Sequence, residues 1–316
     1  MIRRILVLRG GALGDFLVTL PALRLLRMQW PAARIELAGN ARAAELGILG
    51  GYLDDAHSQH EARWSGLFAD SPLPPEFATW LETFDLVVNF WPDPDRSLAR
   101  RFPVRPGQFY LAGSADPAIA PAARHFCEPL RTLGLQTDDY CSRLPLREPM
   151  PPRNSAPGWP GLGAVDVSGA AVAIHPGSGS PAKNWPAERW LELAGQIEDP
   201  ILLVLGEAEH ERWSGSLLAQ FRAAARESLE VADNLPLPVL ADALARCRLF
   251  LGHDSGVSHL AAALGKPCAL LFGPTDPAVW APQGAQVQVI RCGVELDTIA
   301  VKDVVDALMP RGGWLD

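Results

Sequence analysis

The stretch RILVLRGGALGD, residues 4–15, decides the fold class of this chain. A continuous apolar run that passes at once into a Gly-rich turn predicts a buried strand of a parallel sheet, followed by a helix. From Asp15 to Trp30 the apolar residues recur every three or four positions, at Phe16, Leu20, Leu23 and Leu26. Pro21 lacks a backbone N–H, so the helix should kink or begin there.

The same alternation of strand and helix continues along the chain and predicts two doubly wound α/β domains. Residues 147–169 are rich in Pro, Gly, Ser and Asn, which predicts an interdomain linker and places the domains at 1–150 and 151–316. In the first domain we expect strands at 4–8, 34–38 and 85–90 and helices near 41–49, 76–82 and 121–134. In the second we expect strands at 171–174, 200–205, 249–252 and 268–272 and helices at 187–197, 209–225, 237–246, 255–264 and 301–309. The last helix is a candidate to pack back on the first domain.

Composition excludes several classes of protein. The 316 residues are 48% hydrophobic, which is enough for a sizeable core without disulfides. The five cysteines are scattered and contain no C-x-x-C pair, which argues against a zinc or iron–sulfur site and favours a reducing compartment. A net charge of −8 argues against a nucleic-acid binder. The absence of a long apolar run or signal sequence predicts a cytoplasmic protein with no transmembrane segment.

One local cluster departs from this acidic balance: Arg96, Arg100, Arg101 and Arg105 lie within ten residues. Such a cluster is commonly a solvated face of the protein. It could also bind an anionic acceptor or a membrane surface.

Polar loops follow several of the predicted strands, at the edge where open α/β sheets bind ligands. In the first loop, Gly11 and Gly14 permit a sharp turn, and Asp15 opens the helix. The spacing is not that of the dinucleotide fingerprint. Asp15 is either a helix N-cap or a general base at the floor of a cleft.

The loop HPGSGSPAKNWP, residues 175–186, brings small residues and one lysine together. Ser178, Gly179 and Lys183 could form a phosphate cradle, although the loop is not a Walker motif. Lys183 is one of only three lysines in the chain, which hints at a specific role, but an ordinary surface lysine is the alternative.

The segment GHDSGVSH, residues 252–259, lies between a predicted strand and a helix. Asp254, Ser255 and Gly256 could cap that helix or hold a ligand at its N-terminus. His259 could reach a bound anion or be a buried core histidine. Three adjacent residues cannot converge as a catalytic triad.

Two acidic candidates for ribose binding, Glu207 and Glu209, follow the strand that ends at Leu205. No His, Asp or Glu pair shows convincing metal-ligand spacing, and Asp93-Pro94-Asp95 is the nearest approach. We therefore expect no metal and no cofactor.

Taken in order, four motifs resemble those of glycosyltransferase family 9, the ADP-heptose:lipopolysaccharide heptosyltransferases. They are Gly14-Asp15 with Thr19 and Pro21, residues 183–186, residues 254–259 and residues 273–277. The resemblance covers nearly the whole chain. It implies the GT-B fold, in which two Rossmann-like domains face each other across a central cleft.

The resemblance also implies an inverting, metal-independent transfer of heptose from ADP-heptose to a lipopolysaccharide core sugar at the inner face of the inner membrane. Asp15 resembles the general base, and Lys183 the residue that contacts the donor phosphates. The donor-side residues are Ser178, Gly179, Lys183, Glu207 or Glu209, Asp254, Ser255, Gly256 and His259. The acceptor-side residues are Gly11, Gly14, Arg96, Arg100 and Arg101.

Other functions remain open on the sequence alone. A GT-B enzyme with another donor or with a protein acceptor, or a sugar-nucleotide epimerase, would carry a similar donor site. A nonenzymatic ADP-sugar-binding protein would not need Asp15. An NAD-dependent dehydrogenase is disfavoured because the dinucleotide fingerprint is missing.

Overall fold

The computed structural model describes residues 2–69, 72–103, 107–146, 171–210, 213 and 215–308. The chain divides into two compact units, Met1–Pro145 and Leu146–Asp316. The predicted linker, residues 147–169, lies outside the described residues. Each unit is built on one parallel sheet.

The first unit has a five-stranded sheet in the order β3-β2-β1-β4-β5. Its strands are β1 (Arg4–Arg9), β2 (Arg34–Gly39), β3 (Asp55–Ser58), β4 (Leu86–Asn89) and β5 (Phe109–Ala112). Its helices are α1 (Leu13–Leu17), α2 (Leu20–Gln29), α3 (Ala41–Leu49), α4 (Pro75–Leu81), α5 (Ser97–Arg101) and α6 (Ala122–Cys127), with 3-10 turns at Ala62–Leu67 and Glu128–Leu133. Pro21 lies in the first turn of α2, as predicted, where its missing N–H has no helical partner to lose.

The second unit has a six-stranded sheet in the order β11-β10-β9-β6-β7-β8. Its strands are β6 (Val172–Ile174), β7 (Ile201–Leu205), β8 (Leu229–Asp233), β9 (Leu249–His253), β10 (Cys268–Leu271) and β11 (Val287–Ile290). Its helices are α7 (Ala187–Ala194), α8 (Glu207–His210), α9 (Ser216–Ala224), α10 (Leu237–Arg246), α11 (Gly256–Ala263), α12 (Pro277–Trp280) and α13 (Val301–Leu308), with 3-10 turns at Pro181–Lys183 and Leu296–Thr298.

The order of the strands is that of a doubly wound sheet in both units. The first strand of each unit lies at the centre, the next two strands extend to one side, and the later strands extend to the other. Every strand pair is parallel, so all the carboxyl ends in one sheet meet at one edge. The loops singled out in the sequence leave from those edges.

Two details differ from the sequence predictions. The four edge strands, β3, β5, β8 and β11, were not predicted. The helix predicted at 209–225 is two helices, α8 and α9, because Gly215 before α9 has a positive φ of 60° that interrupts the helix. The last helix, a candidate to pack on the first domain, buries Val301 and Val304 in the core of the second unit, where it contacts α7, β10 and β11.

No helix in the described part of the chain combines the length and the apolar character needed to cross a membrane. The helices form around cores of aliphatic and aromatic side chains. The largest fully buried side chains include Trp185, Trp190 and Trp213 of the second unit.

A buried carboxylate on β2 ties the first sheet together. Glu36 is 1% exposed and lies 2.5 Å from Arg4 Nη2, 3.0 Å from Arg34 Nε and 2.9 Å from His57 Nε2. Burial acts to raise the pKa of Glu36, but hydrogen bonds from His57, Arg4 and Arg34 outweigh it and lower the pKa to about 2. The ionised form therefore links β1, β2 and β3.

We expect Glu36→Gln to lower the free energy of unfolding of the first unit by about 2–3 kcal/mol at neutral pH, because it leaves two arginines without their shared counterion. The lowered folded pKa means that the wild-type advantage is present above about pH 4.5 and is lost as the pH falls toward 2. Thermal unfolding followed by circular dichroism at several pH values measures this difference. Glu230→Gln, which changes an exposed carboxylate on β8, is the control. A difference between Glu36→Gln and wild type that does not shrink on acidification would contradict the assignment.

Candidate functional site

The first sheet has its topological switch point between β1 and β4, from which the chain runs outward in opposite directions. Loops that leave such strands diverge and open a crevice. A cavity of about 760 Å³ occupies this position in the first unit. It is lined from the ends of four strands, by Arg9, Gly10, Gly11 and Asp15; Gln59, His60, Glu61, Ala62, Trp64, Ser65 and Phe68; Phe90, Trp91 and Pro92; and Ala115 and Asp116.

Asp15 contributes a carboxylate to this cavity. Because Ala12 is the N-cap of α1, Asp15 is the third residue of the helix rather than its cap. Its Oδ2 accepts a hydrogen bond of 2.8 Å from the Ala12 N–H, and its side chain remains 34% exposed. The N-cap alternative is therefore wrong, although the carboxylate still stabilises the first turn of the helix. The general-base role stays a prediction for a carboxylate that faces the cavity.

Arg9, the last residue of β1, contacts both the side chain and the backbone of Asp15. Its Nη2 lies 3.0 Å from Asp15 Oδ1, and its Nε donates to the Asp15 carbonyl and to Thr19 Oγ1 at 3.2 and 3.3 Å. The guanidinium is 4% exposed and packs over the Phe126 ring at 4.3 Å. Burial lowers the pKa of Arg9, against the negative charges of Asp15 and Asp116, but an arginine remains charged in proteins. Arg9 was not predicted as a site residue.

Residue 11 must be a glycine because of its backbone conformation and its closeness to the Asp15 carboxylate. Its φ of +97° lies in the region that favours glycine. A Cβ on Gly11 would lie 2.5 Å from Asp15 Oδ2, which is closer than any real contact. Gly14, the other predicted acceptor-side glycine, lies inside α1 and does not line the cavity.

The remaining wall of the cavity was missed in the sequence analysis. Gln59, His60 and Phe68 follow β3, Trp91 follows β4, and Asp116 follows β5. Two of these strands are edge strands that the hydrophobic pattern does not reveal. The sequence did offer a signal for Trp91, because this residue directly follows the strand predicted at 85–90. In the structure the Trp91 backbone N–H donates to Asn89 Oδ1 at 2.9 Å.

The predicted arginine patch lies elsewhere. Arg96 precedes α5 with a φ of +59°, and Arg100 and Arg101 lie in the last turn of that helix. Arg96 and Arg100 are exposed, and none of the three lines the cavity. Arg105 lies outside the described residues. The solvated-face interpretation fits this placement.

The second sheet has the same switch point, between β6 and β9. The loop after β6 carries Lys183, and the loop after β9 carries Asp254. Lys183 Nζ lies 3.0 Å from Asp254 Oδ2 and 3.4 Å from the Asp254 carbonyl oxygen, so an ion pair joins the two loops. The lysine is 27% exposed and the aspartate 11%. The pair therefore presents its positive member to solvent.

The small residues before Lys183 have separate roles. Ser178 is buried, and its Oγ lies 2.7 Å from Asn184 Oδ1 and 2.8 Å from the Ser180 carbonyl oxygen. Its hydroxyl therefore shapes the loop. At Gly179 an added Cβ would meet no atom within 4 Å, so the surface there is open.

The segment after β9 begins α11. Ser255 is the N-cap, and its Oγ accepts from the Ser258 N–H at 3.2 Å. Gly256 is the first helical residue, and His259 is buried within the helix. The ring of His253, directly before Asp254, accepts from the Trp185 N–H at Nε2 and donates from Nδ1 to the Gly177 carbonyl, at 2.8 and 3.3 Å. This histidine, which the sequence analysis did not single out, locks the two loops together.

The two candidate ribose acids differ in position. Glu207 is exposed at the start of α8, whereas Glu209 is 6% exposed and its Oε2 accepts from the Gly206 N–H at 3.0 Å. Glu209 packs directly against Gly177, where a Cβ would lie 2.1 Å from its Cγ. Of the two acids, Glu209 is therefore the one that packs against the loop after β6, next to the switch point.

Buried His175 lies at the end of β6 in the same cluster. Its Nδ1 lies 2.9 Å from the Val204 carbonyl oxygen, so Nδ1 carries the hydrogen. Burial lowers the pKa of His175, although the hydrogen bond to Val204 and the charge of Glu209 act in the opposite direction. The neutral ring joins β6 to β7 beneath the loops.

The structure also brings together three side chains of metal-ligand type that the sequence analysis missed. Glu36, Asp55 and His57 have ligand atoms within 4.8 Å of one another. Arg34 pairs with both Glu36 and Asp55, and Arg4 pairs with Glu36. Two guanidinium groups already neutralise the two carboxylates, so the trio fits an ion-pair network better than a cation site.

A second cavity, of about 370 Å³, lies in the second unit at the opposite edge of its sheet. It is lined mainly by apolar residues from the amino-terminal ends of strands, including Val172, Leu249 and Cys268. None of the predicted site residues lines it. The chemistry-bearing loops leave from the other edge.

Comparison with known proteins agrees with this arrangement. Residues 144–303, just over half of the chain, match the sequence profile of glycosyltransferase family 9 (heptosyltransferase). The chain belongs to glycosyltransferase family 9. The matched region contains Lys183, Glu209 and residues 254–259, which together surround the switch point of the second sheet.

The curated relatives of this family 9 chain are heptosyltransferases. Lipopolysaccharide heptosyltransferase 1 of Escherichia coli strain RS218 is 34% identical over 149 residues, which is 45% of this chain and 44% of that protein. Lipopolysaccharide heptosyltransferase 2 of Salmonella typhimurium is 26% identical over 191 residues, 58% of this chain and 49% of that protein. The chain thus spans about half the length of the curated relatives it matches.

Solved structures extend the similarity of this family 9 chain to its whole length. A family 9 glycosyl transferase from Veillonella parvula has a TM-score of 0.73 at 23% identity and covers 97% of this chain and 96% of that one. The E. coli heptosyltransferase WaaC with ADP has a TM-score of 0.69 at 20% identity, with 96% and 98% covered. At these identities the likeness shows the fold, and the predicted GT-B fold is confirmed.

We expect Gly11→Ala in this family 9 protein to lower the unfolding temperature more than Gly134→Ala. Both glycines have positive φ, so both substitutions carry backbone strain of about 1 kcal/mol. Only at Gly11 does the new Cβ collide with the Asp15 carboxylate, which adds about 1–2 kcal/mol. Thermal unfolding of the two variants measures the difference. Equal losses would show that Asp15 moves aside freely.

Proposed function

We propose that the protein transfers a heptose from ADP-heptose to a hydroxyl group of a lipopolysaccharide core sugar, with inversion at the anomeric carbon and without a metal ion. The observation that carries the proposal is the ionisable carboxylate of Asp15, which faces the first-unit cavity while Arg9 and the Ala12 N–H hold it in place. Family membership and the names of the curated relatives support the substrate class.

The reaction needs one base and one nucleophile. Asp15 accepts the proton of the acceptor hydroxyl as its oxygen attacks the anomeric carbon, and the bond from that carbon to the diphosphate oxygen breaks with its electron pair on the diphosphate. Direct displacement needs only this one base, whereas a covalent glycosyl-enzyme route would need a second carboxylate as nucleophile. Asp15 keeps unused lone pairs for this role, since a carboxylate accepts about four hydrogen bonds.

The leaving diphosphate develops negative charge, which the second unit is built to receive. Lys183 presents its ammonium group beside Asp254, and α11 begins at Gly256 with its first backbone N–H groups at the same edge of the sheet. A helix N-terminus and a lysine together supply the positive potential that a metal ion would otherwise supply. Glu209, and not the exposed Glu207, is our candidate for the ribose hydroxyls.

We place this activity in the cytoplasm, at the inner face of the inner membrane where a lipid-linked core acceptor is reached. The five cysteines are all free, which fits a reducing compartment. The exposed Arg96, which precedes α5, and Arg100 within it form a positive surface that suits an anionic membrane or lipid headgroup.

Asp15→Asn tests the base directly. The amide keeps the shape of the side chain but cannot take a proton, so we expect heptose transfer to fall by about 10²–10⁴-fold. ADP binding, measured by calorimetry, should change little, because Lys183 and α11 lie in the other unit. Asp138→Asn, an exposed carboxylate of the first unit, is the control. Transfer retained in Asp15→Asn would remove Asp15 from the base role.

Lys183→Ala tests the diphosphate site. Loss of one charge-assisted contact should weaken ADP binding by about 10–100-fold in calorimetry. The control is Lys302→Ala, which removes an exposed lysine of α13 that pairs with Asp306. Unchanged ADP affinity in Lys183→Ala would assign the diphosphate to other residues.

A further inference from the structure

The first-unit cavity has an aromatic wall that the proposed chemistry does not use. Phe68 lines it with 54% of its surface exposed, and Trp91 lines it while 6% exposed. Their rings lie 6.2 Å apart at an angle of 33°. Trp64 packs edge-on against Trp91 at 5.3 Å and is itself fixed, because its Nε1 donates to the Ser58 carbonyl at 2.9 Å. Trp64 and Trp91 therefore form the packed, fixed part of the wall, and Phe68 forms its exposed part.

The wall also holds an unpaired donor. Trp91 Nε1 is buried and has no hydrogen-bond partner, although buried indole N–H groups normally find one. It lies beside Gly10, where an added Cβ would be 3.6 Å from Trp91 Nε1 and 2.6 Å from Gln59 Oε1. Gly10 and Gln59 both line the cavity. A donor and an acceptor therefore both lie close to Gly10 in the cavity lining.

The charges around the cavity favour an uncharged ligand over an anion. Arg9 is the single arginine or lysine among the lining residues, and its guanidinium is engaged by Asp15, Thr19 and the Ala115 carbonyl. Glu61 is paired with Arg63 at 2.8 Å, whereas Asp116 is exposed. A carboxylate or phosphate placed here would meet Asp15 and Asp116 with no arginine or lysine available among these residues.

We propose that this cavity binds an uncharged sugar ring, the terminal residue of the acceptor, with the C–H face of the ring against Phe68. Its hydroxyls are recognised by Gln59, Asp116 and the Trp91 N–H, and one hydroxyl lies at Asp15. Pockets that combine an apolar wall with a few polar groups orient ligands in this way. The inference rests on the proposed function and makes the acceptor residue a neutral sugar rather than a sugar acid.

Binding is tested without donor, by saturation-transfer NMR on the full-length protein with two probes. The probes are the methyl glycoside of a neutral heptose and the methyl glycoside of a 2-keto sugar acid. We expect the neutral glycoside to bind through its ring C–H protons and the sugar acid to bind at least about 10-fold more weakly. Equal or tighter binding of the sugar acid, or no binding of the neutral glycoside, would overturn the proposal.

Two variants locate the site. Phe68→Ala should lower the affinity for the neutral glycoside by about 10-fold. Phe109→Ala, which removes a similarly exposed ring from β5, should leave that affinity unchanged. Asp116→Lys should raise the affinity for the sugar acid relative to the neutral glycoside. If Phe68→Ala and Asp116→Lys both bind like wild type, the ring does not lie on this wall.

The same proteins separate this inference from the proposed function. If the protein transfers heptose from ADP-heptose to a core acceptor and Phe68→Ala binds the glycoside as wild type does, the proposed function is supported and the sugar-site inference is wrong. Glycoside binding that depends on Phe68, without heptose transfer to any core acceptor, would support the sugar site and contradict the function.

Discussion

The buried ion pair between Arg9 and Asp15 is the constraint on which the first unit's site depends. A guanidinium that is 4% exposed needs a counterion, and Asp15 supplies one while keeping a third of its own side chain exposed. Thr19 and Phe126 hold the arginine, and Gly11 leaves space for the carboxylate. Asp15 therefore has two roles, because the carboxylate that neutralises the charge of Arg9 is also the group available to a ligand.

The second unit also has an ion pair beside the switch point of its sheet, but there the pair joins two loops and the positive group is the more exposed. Its switch point carries the pair of Lys183 and Asp254, and there the lysine is the more exposed member, at 27% against 11%. One sheet thus presents a carboxylate and the other an ammonium group after the central strand of each sheet. This difference suits the proposed reaction, in which a hydroxyl loses a proton and the charge of a diphosphate is neutralised.

The hydrophobic pattern predicted the seven interior strands and missed the four edge strands. β3, β5, β8 and β11 are partly exposed, so none of them shows the continuous apolar run of a strand buried on both faces. The same limit explains the missing cavity wall, because Gln59, His60 and Phe68 follow the edge strand β3. The predicted acceptor-side residues were Gly11, Gly14, Arg96, Arg100 and Arg101, and of these only Gly11 lines the cavity.

The sequence by itself determined the class of fold and the loops that carry chemistry. Strand, Gly-rich turn and helix are local patterns, and the carboxyl ends of parallel strands share an edge whatever their order. Only the tertiary structure decided which side chains of these loops meet. The contacts of Arg9 with Phe126, of Lys183 with Asp254 and of Glu209 with Gly177 join residues far apart in the chain. Such contacts depend on strand order and helix packing, so whether a given aspartate caps, pairs or faces a cavity cannot be read from its neighbours in sequence.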